Sequence, residues 1–157
     1  GSASVLYYVM AYAITNLGIF AIISHMEQEG GWVTLDDYKG LAFRNPVYAW
    51  ALMWFFVSLI GIPPTVGFFG KLFIFRAAVD AGYLWLAVLM AINSVISVGY
   101  YYNVVRVMFL EEPGHVSLHT SRGSMAAVVI SCVGVLVAGL LSSPLLAYTE
   151  AAAYLLR

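Results

Sequence analysis

Long uncharged stretches alternate with short polar segments along this chain of 157 residues. Residues 3–26, 45–70, 81–105 and 123–149 contain no Asp, Glu, Lys or Arg. Each stretch exceeds the roughly 20 residues that a helix needs to cross a hydrocarbon core of about 30 Å. The pattern predicts an all-α transmembrane bundle, with spans at about 3–26, 46–80, 82–109 and 123–148 and polar loops at 27–45 and 110–122.

The second of these spans is interrupted near its middle by residues that end helices. Pro63 and Pro64 are adjacent, and two prolines remove two backbone donors and break an α-helix. Gly61 can adopt the left-handed conformation that ends a helix, and Gly67 follows the prolines. Two readings are open at this point. Either 46–62 and 65–80 are separate spans, or they are the halves of one span broken at Gly61–Gly67.

The positions of the cations separate these two readings, because cytoplasmic loops carry an excess of Lys and Arg. Four spans place the loop cations on one side of the membrane, namely Lys39, Arg44, Arg106 and Arg122. Five spans divide them between the two sides. The break contains no charge, Asn or Ser, which suits a loop buried in protein. We therefore favour four spans, with the cationic side in the cytoplasm and both termini outside.

The composition is also that of a membrane protein, with 62% hydrophobic and 10% charged residues. Soluble domains are about 45–50% apolar and about 25% charged, so a soluble enzyme and a disordered segment are excluded. The net charge of −1 argues against a nucleic-acid partner. Cys132 is the single cysteine, which excludes an intrachain disulfide and a multi-cysteine metal site. Because the chain begins with Gly-Ser rather than Met, we expect 1–157 to be one transmembrane domain cut from a longer chain.

Lys71 is the residue whose placement costs most in such a bundle. It lies nine residues before Asp80, which is about 13 Å of helix and puts it near the middle of the membrane. A lysine at that depth costs at least about 2.5–3.5 kcal/mol on insertion scales. Residues 68–71 would form the first turn of the second half-helix, whose unpaired N–H groups are the positive end of its dipole. We interpret Lys71 as a proton-exchanging residue. The alternative is that it pairs with an acid in a neighbouring helix.

Four further polar residues are candidates for a proton path to Lys71: Tyr12, Asn16, His25 and Asn93. Asn16 and Asn93 lie midway along the first and third spans, and Tyr12 shares a helix face with Asn16. His25, at the cytoplasmic end of the first span, could pass protons to this group. The alternatives are ordinary hydrogen bonds between helices, worth about 0.6 kcal/mol each, and an interfacial histidine.

The remaining features predict local structure rather than chemistry. Arg76 and Asp80 are four residues apart and should pair near the outer interface. His115 and His119 have the same spacing but no nearby third ligand, so no metal site is predicted. Pro144 should kink the outer end of the fourth span. The chain has no Gly-rich dinucleotide fingerprint and no cysteine cluster that would predict a redox cofactor.

Two motifs resemble a known family. Residues 58–73 (SLIGIPPTVGFFGKLF) resemble the broken helix of the antiporter-like subunits of respiratory complex I and of their Mrp-type relatives. Residues 93–109 (NSVISVGYYYNVVRVMF) look like the next helix of the subunit N family of bacterial NADH-quinone oxidoreductase, the counterpart of mitochondrial subunit 2. Residues 4–12 (SVLYYVMAY) also fit that family. The resemblance covers nearly the whole chain and is weakest in the fourth span.

The resemblance implies a fourteen-helix fold with two inverted five-helix repeats, of which this chain matches the last four helices. Lys71 aligns with the lysine of the broken twelfth helix, which in the family exchanges protons in the outward half-channel. The family's other charged pumping residues have no counterpart here. The fragment alone is therefore not expected to translocate protons.

The implied function is proton translocation by a subunit of NADH:quinone oxidoreductase in the bacterial inner membrane. Its partners would be lipid and the other membrane subunits, including neighbouring antiporter-like subunits. NADH, FMN, iron–sulfur clusters and quinone would bind to other subunits, so this chain would hold no cofactor and no redox site. Two alternatives are a subunit of an Mrp-type cation/proton antiporter and a structural membrane anchor in which Lys71 only pairs with a neighbouring subunit.

Overall fold

The computed structural model describes residues 2–113 and 121–155. His115 and His119 lie outside these residues. The described chain is all-α, as predicted. Its elements are α1 (Ser2–Gly30), a 3₁₀ turn (Leu35–Tyr38), α2 (Leu41–Arg44), α3 (Pro46–Ile60), α4 (Val66–Asp80), α5 (Leu84–Leu110), α6 (Arg122–Leu140) and α7 (Ser142–Leu155).

Three of these helices are long and apolar enough to cross a membrane by themselves: α1, α5 and α6. Helices α3 and α4 have 15 residues each, about 22 Å, which is too short for a hydrocarbon core of about 30 Å. Each is therefore suited to cross part of a bilayer rather than all of it. The number of spans remains a prediction, and the relative placement of α3 and α4 bears on it.

Helices α3 and α4 lie one after the other along α1. The ring of Tyr48 in α3 packs against His25 of α1, with 5.5 Å between the ring centroids. Further along, the hydroxyls of Ser58 and Thr15 are 3.3 Å apart. In α4, the ring of Phe73 lies 5.0 Å from that of Tyr7. Residue numbers rise along α3 and α4 while they fall along α1, so the chain does not reverse direction at the break.

The break is shorter than the sequence indicated. Helix α3 ends at Ile60, and Gly61 takes the left-handed conformation with φ of 93°. Helix α4 begins at Val66. The interruption therefore covers 61–65 and contains Pro63 and Pro64. The predicted boundary at Gly67 was wrong, because Gly67 is the second residue of α4.

The expected burial of the break holds for only part of it. Thr65 is fully buried, and its hydroxyl donates to the carbonyl of Ile62 at 2.7 Å. Helix α6 covers this side so closely that a Cβ at Gly139 would overlap the carbonyl oxygen of Pro64. On the other side, Ile62, Pro63 and Pro64 are exposed in this chain. Neighbouring protein or lipid must cover them in a membrane.

Helices α5 and α6 complete the bundle on opposite sides of the break. In α5, Tyr101 stacks on Phe56 of α3 and Phe109 packs against Trp50, each with 5.1 Å between centroids, so α5 runs antiparallel to α3. In α6, the carbonyl of Cys132 accepts a bond of 3.3 Å from the Trp54 indole. The carbonyl of Ala138, further along α6, accepts a bond of 2.9 Å from the Tyr7 hydroxyl.

This packing brings the loop cations to one end of the bundle. The backbone N–H of Gly40 donates to the carbonyl of Val107 at 3.1 Å and ties the first polar loop to the end of α5. Beside it, Glu111 forms ion pairs with Lys39 at 3.6 Å and with Arg106 at 3.1 Å. At the other end, Arg76 and Asp80 form the expected ion pair, with 3.6 Å between Nε and Oδ2.

The last predicted span is divided into α6 and α7 at Leu141. Pro144 was expected to kink the outer end of this span, and the helix is interrupted three residues before that proline. The physical reason is that a proline ring clashes with the carbonyl four residues earlier. The proline nitrogen also has no hydrogen to donate to that carbonyl. That carbonyl belongs to Leu140, where α6 ends. Pro144 itself lies in the first turn of α7, where its missing N–H costs nothing.

Candidate functional site

Lys71 lies in the second turn of α4, and its side chain folds back across the break. Its ammonium group donates to the carbonyl oxygen of Ile60 at 3.0 Å and to the hydroxyl of Ser94 at 3.2 Å. The two acceptors belong to different helices, the last residue of α3 and the middle of α5. The lysine therefore connects three helices at the level of the break.

The Ile60 carbonyl is available because the helix ends there. The last four carbonyls of a helix have no partner within it and carry the negative end of its dipole. Gly61 also leaves room for the lysine, since a Cβ at that residue would lie 3.1 Å from the Lys71 Cδ. We expected Lys71 in the first turn of α4, beside that helix's positive end. The structure instead directs the ammonium to the negative end of α3.

A cavity of about 560 Å³ opens around Lys71 between α1, α4 and α5. Two of the predicted path residues, Tyr12 and Asn93, line it. The other polar side chains on its wall come mainly from α1 and α5, namely Tyr8, Ser94, Ser97, Tyr100 and Tyr101. Several hydroxyl groups thus surround the lysine in a space large enough for water molecules.

A second, much smaller cavity lies on the α1 side of Lys71. Its volume is about 10 Å³, close to the space that one water molecule needs, and Thr15, Ser58 and Lys71 are on its wall. Thr15 and Ser58 are almost completely buried, and their hydroxyls form the 3.3 Å contact between α1 and α3. The Thr15 hydroxyl also donates to the carbonyl of Ala11 at 2.9 Å.

The structure does not bring the other two predicted path residues to Lys71. The Asn16 amide donates to the carbonyl of Tyr12 in its own helix at 2.7 Å, and Asn16 lines neither cavity. His25 is buried against Tyr48, about 20 Å along α1 from Tyr12. Between these levels the core is filled by apolar side chains such as Ile22 and Phe55, which are fully buried. His25 therefore lies apart from the cavity, further along α1.

Three groups at the site were not among the predicted site residues: Ser94, Ser58 and the Ile60 carbonyl. A signal existed for the carbonyl, because Gly61 ends α3 and leaves the preceding carbonyls without helical partners. Ser58 and Ser94 lie within the two sequence motifs, but nothing in the sequence indicated that they would lie beside Lys71. A serine in an apolar helix can bond to its own backbone, and only the packing of the helices decides which neighbour it meets.

The described residues 2–113 and 121–155 contain no group of three or more His, Cys, Asp or Glu side chains that could hold a metal ion. Cys132 is half-buried in α6, and its carbonyl rather than its thiol bonds to Trp54. What the site offers is one cationic group, two close oxygen acceptors and a hydroxyl-lined cavity. This arrangement suits proton exchange and water binding.

The broken helix, its lysine and the packing of α1, α3 and α4 define a class of antiporter-like membrane proteins. The family model described as "NADH:quinone oxidoreductase/Mrp antiporter, TM" matches residues 1–97. The chain belongs to this family.

Within the family, the similar curated proteins are subunits N of NADH-quinone oxidoreductase. The chain is 63% identical to subunit N 2 of Symbiobacterium thermophilum and 41% identical to subunit N of Dehalococcoides mccartyi. Each match covers 99% of this chain, and 31% and 32% of the respective relatives. The resemblance to subunit N is thereby confirmed. The chain spans about a third of the length of these relatives.

Solved structures show the same fold. Respiratory complex I from Thermus thermophilus with bound NADH contains a chain that matches with a TM-score of 0.84 and 25% identity. That match covers all of this chain and 34% of the other. The Mrp complex from Dietzia matches with a TM-score of 0.85 over 95% of this chain and 36% of the other. Its identity of 22% supports the fold alone.

Proposed function

We propose that this chain is part of a proton-translocating membrane subunit of NADH:quinone oxidoreductase, in which Lys71 exchanges protons with a half-channel. The observation that supports the proposal most directly is the position of the Lys71 ammonium. It lies at a helix break, bonded to the Ile60 carbonyl and facing a cavity lined by hydroxyl groups. A lysine beside loosened backbone and water can take up and release a proton without being fixed by an acidic partner.

The redox chemistry belongs to other subunits in this proposal. NADH, FMN, iron–sulfur clusters and quinone bind there, and electron transfer changes the charge near this chain. Lys71 then accepts a proton from a hydrated central axis and releases it outward. The chain works in the bacterial inner membrane, next to other antiporter-like subunits. Its enzymatic role is thus that of a translocase subunit without a redox site.

Two of the predicted path residues keep a role in the proposal, and two lose support. Tyr12 and Asn93 line the cavity and are suited to hold water beside Lys71. Asn16 is bonded within its own helix, and His25 lies at the far end of α1 behind apolar packing.

The test replaces Lys71 with alanine in the complete complex, reconstituted in proteoliposomes. We expect NADH oxidation to continue and the number of protons pumped per electron to fall. Lys39→Ala is the matched control, because Lys39 is also a lysine but lies in the polar loop at the end of the bundle. If the Lys71→Ala complex pumped as many protons per electron as the wild type, the proposal would be contradicted. The remaining function would be that of a structural membrane anchor.

The second candidate is a subunit of an Mrp-type cation/proton antiporter, because the matching family model includes the Mrp antiporters. The two functions differ in their driving force. An antiporter subunit exchanges sodium for protons without NADH, whereas the proposed subunit pumps only during electron transfer. Sodium-dependent proton exchange by the assembled complex in the absence of NADH would favour the antiporter.

A further inference from the structure

The contact between Lys71 and Ser94 suggests a specific role for Ser94, the second residue of the 93–109 motif. Ser94 lies in the middle of α5, 23 positions from Lys71 in sequence, and its Oγ is 3.2 Å from the Lys71 Nζ. It is partly buried at the wall of the large cavity. We propose that Ser94 is a positioning residue, which holds the Lys71 ammonium against the carbonyl end of α3 between proton transfers. The inference rests on the proposed function of Lys71.

The hydrogen-bonding capacity of the two groups supports this role. A protonated lysine has three N–H donors and no acceptor, so it requires acceptors around it. The Ile60 carbonyl supplies one, and the Ser94 hydroxyl supplies a second from a different helix. The third donor is left for the cavity, which is lined by tyrosine hydroxyls and large enough for water. Two fixed acceptors and one open direction orient the ammonium toward the space from which a proton is exchanged.

The backbone around Ser94 is hydrogen-bonded within α5. The hydroxyl of Ser97, one turn further along α5, donates to the carbonyl of Ser94 at 2.7 Å. Helix α5 packs against α3 through Tyr101 and Phe56, and Lys71 of α4 reaches into the space between them. A change in the distance between α5 and α3 would therefore change the distance between the Ile60 carbonyl and the Ser94 hydroxyl.

The experiment compares Ser94→Ala, Ser94→Thr and Ser131→Ala in the complete complex. Ser131 is the matched control, because it is a buried serine in α6 away from the cavity. We expect Ser94→Ala to slow NADH-driven pumping by about three- to tenfold, the range that one hydrogen bond in a membrane protein supplies. Ser94→Thr keeps the hydroxyl and should restore most of the rate. Ser131→Ala should pump as the wild type does.

The KM for NADH should be unchanged in all three variants, since NADH binds elsewhere. Wild-type pumping in Ser94→Ala overturns the inference, and so does a Ser94→Thr complex as slow as Ser94→Ala. If Ser94→Ala does not assemble, Ser94→Cys replaces it, because a thiol of similar size is a much weaker acceptor. Lys71→Ala distinguishes the two proposals. A normal Ser94→Ala complex together with a defective Lys71→Ala complex contradicts only the role of Ser94.

Discussion

The backbone of Gly67 lies directly against the carbonyl oxygen of Ser58, so that a Cβ atom at residue 67 would overlap it. Ser58 is in the last turn of α3, and Gly67 is in the first turn of α4. The two half-helices thus approach each other through backbone atoms, which cannot move aside as a flexible side chain would. This close approach sets the position of Lys71, four residues further on.

Replacing Gly67 with alanine should therefore separate the half-helices. We expect a loss of about 1–3 kcal/mol in stability, as for other overpacked sites, together with weaker proton pumping. Gly99→Ala is the matched control, because Gly99 is also in a transmembrane helix and a Cβ there meets nothing within 4 Å. That variant should be neutral or slightly more stable, since alanine favours helix more than glycine. Thermal unfolding of the purified full-length protein measures both, and equal melting temperatures would contradict the packing described.

Arg44 organises the first polar loop. Its guanidinium lies 4.2 Å from the centroid of the Trp32 ring and donates to the carbonyls of Asp37 and Lys39 at 2.7 and 2.6 Å. Lysine has no planar group that can stack and bridge two carbonyls at once. We expect Arg44→Lys to destabilise the folded conformation of this loop against local opening by about 1 kcal/mol or more.

Hydrogen exchange of residues 31–45 in the full-length protein measures this effect. Exchange should become faster in Arg44→Lys and stay unchanged in Arg106→Lys. The second variant serves as a control, because Arg106 is half-exposed and its ion pair with Glu111 requires only a positive charge. Equal protection in the two variants would mean that the stacking on Trp32 adds nothing.

The helices were largely predictable from the sequence because absence of charge is a strong signal in a membrane protein. Helix α5 was expected at 82–109 and extends over Leu84–Leu110. Pro63 and Pro64 located the break because proline cannot donate within a helix. Gly67 was assigned to the break because it follows the prolines, whereas in the structure it lies within α4 and makes a close backbone contact.

The partners of Lys71 were less predictable. The sequence indicates that a lysine needs acceptors, but Ser94 becomes one only through the packing of α5 against α3 and α4. Asn16 and His25 failed to join the site for a related reason. The amide of Asn16 donates a hydrogen bond within α1, and buried apolar side chains such as Phe55 lie between His25 and the cavity. Polarity marks candidate residues, whereas three-dimensional packing decides which of them meet.

The turn at Leu35–Tyr38 should respond to acid. The Asp37 Oδ2 accepts bonds from the backbone N–H of Thr34 at 2.7 Å, from its hydroxyl at 2.8 Å and from the N–H of Val33 at 3.0 Å. These bonds to the charged carboxylate, with the Thr34 N–H as the largest cause, hold the pKa of Asp37 below its ordinary value of 3.8. The folded pKa lies below the unfolded one, so this stabilisation is complete above about pH 4 and disappears as the pH falls through the folded value.

Hydrogen exchange of residues 33–38, corrected for the intrinsic effect of pH, should therefore accelerate below about pH 4. In Asp37→Asn the same segment should show no such dependence, because an amide does not titrate there. Asp36→Asn is the control, since the Asp36 carboxylate instead forms an ion pair with the exposed Lys39 at 2.8 Å. A wild-type profile as flat as that of Asp37→Asn would contradict the role of this carboxylate.

The end-to-end placement of α3 and α4 predicts how the chain crosses the membrane. We expect one broken span, with the polar loop of Asp36 in the cytoplasm and the turn of Tyr83 outside. Single cysteines at Asp36, Ile62 and Tyr83, in a Cys132→Ser background, test this with a membrane-impermeant maleimide. The cysteine at Asp36 should react only in inside-out vesicles, that at Tyr83 only in right-side-out vesicles, and that at Ile62 in neither. Ile62 is 45% exposed in this chain, so its own neighbours do not block the reagent. Ready labelling at residue 62 from one side would instead indicate two separate spans joined by a water-exposed turn.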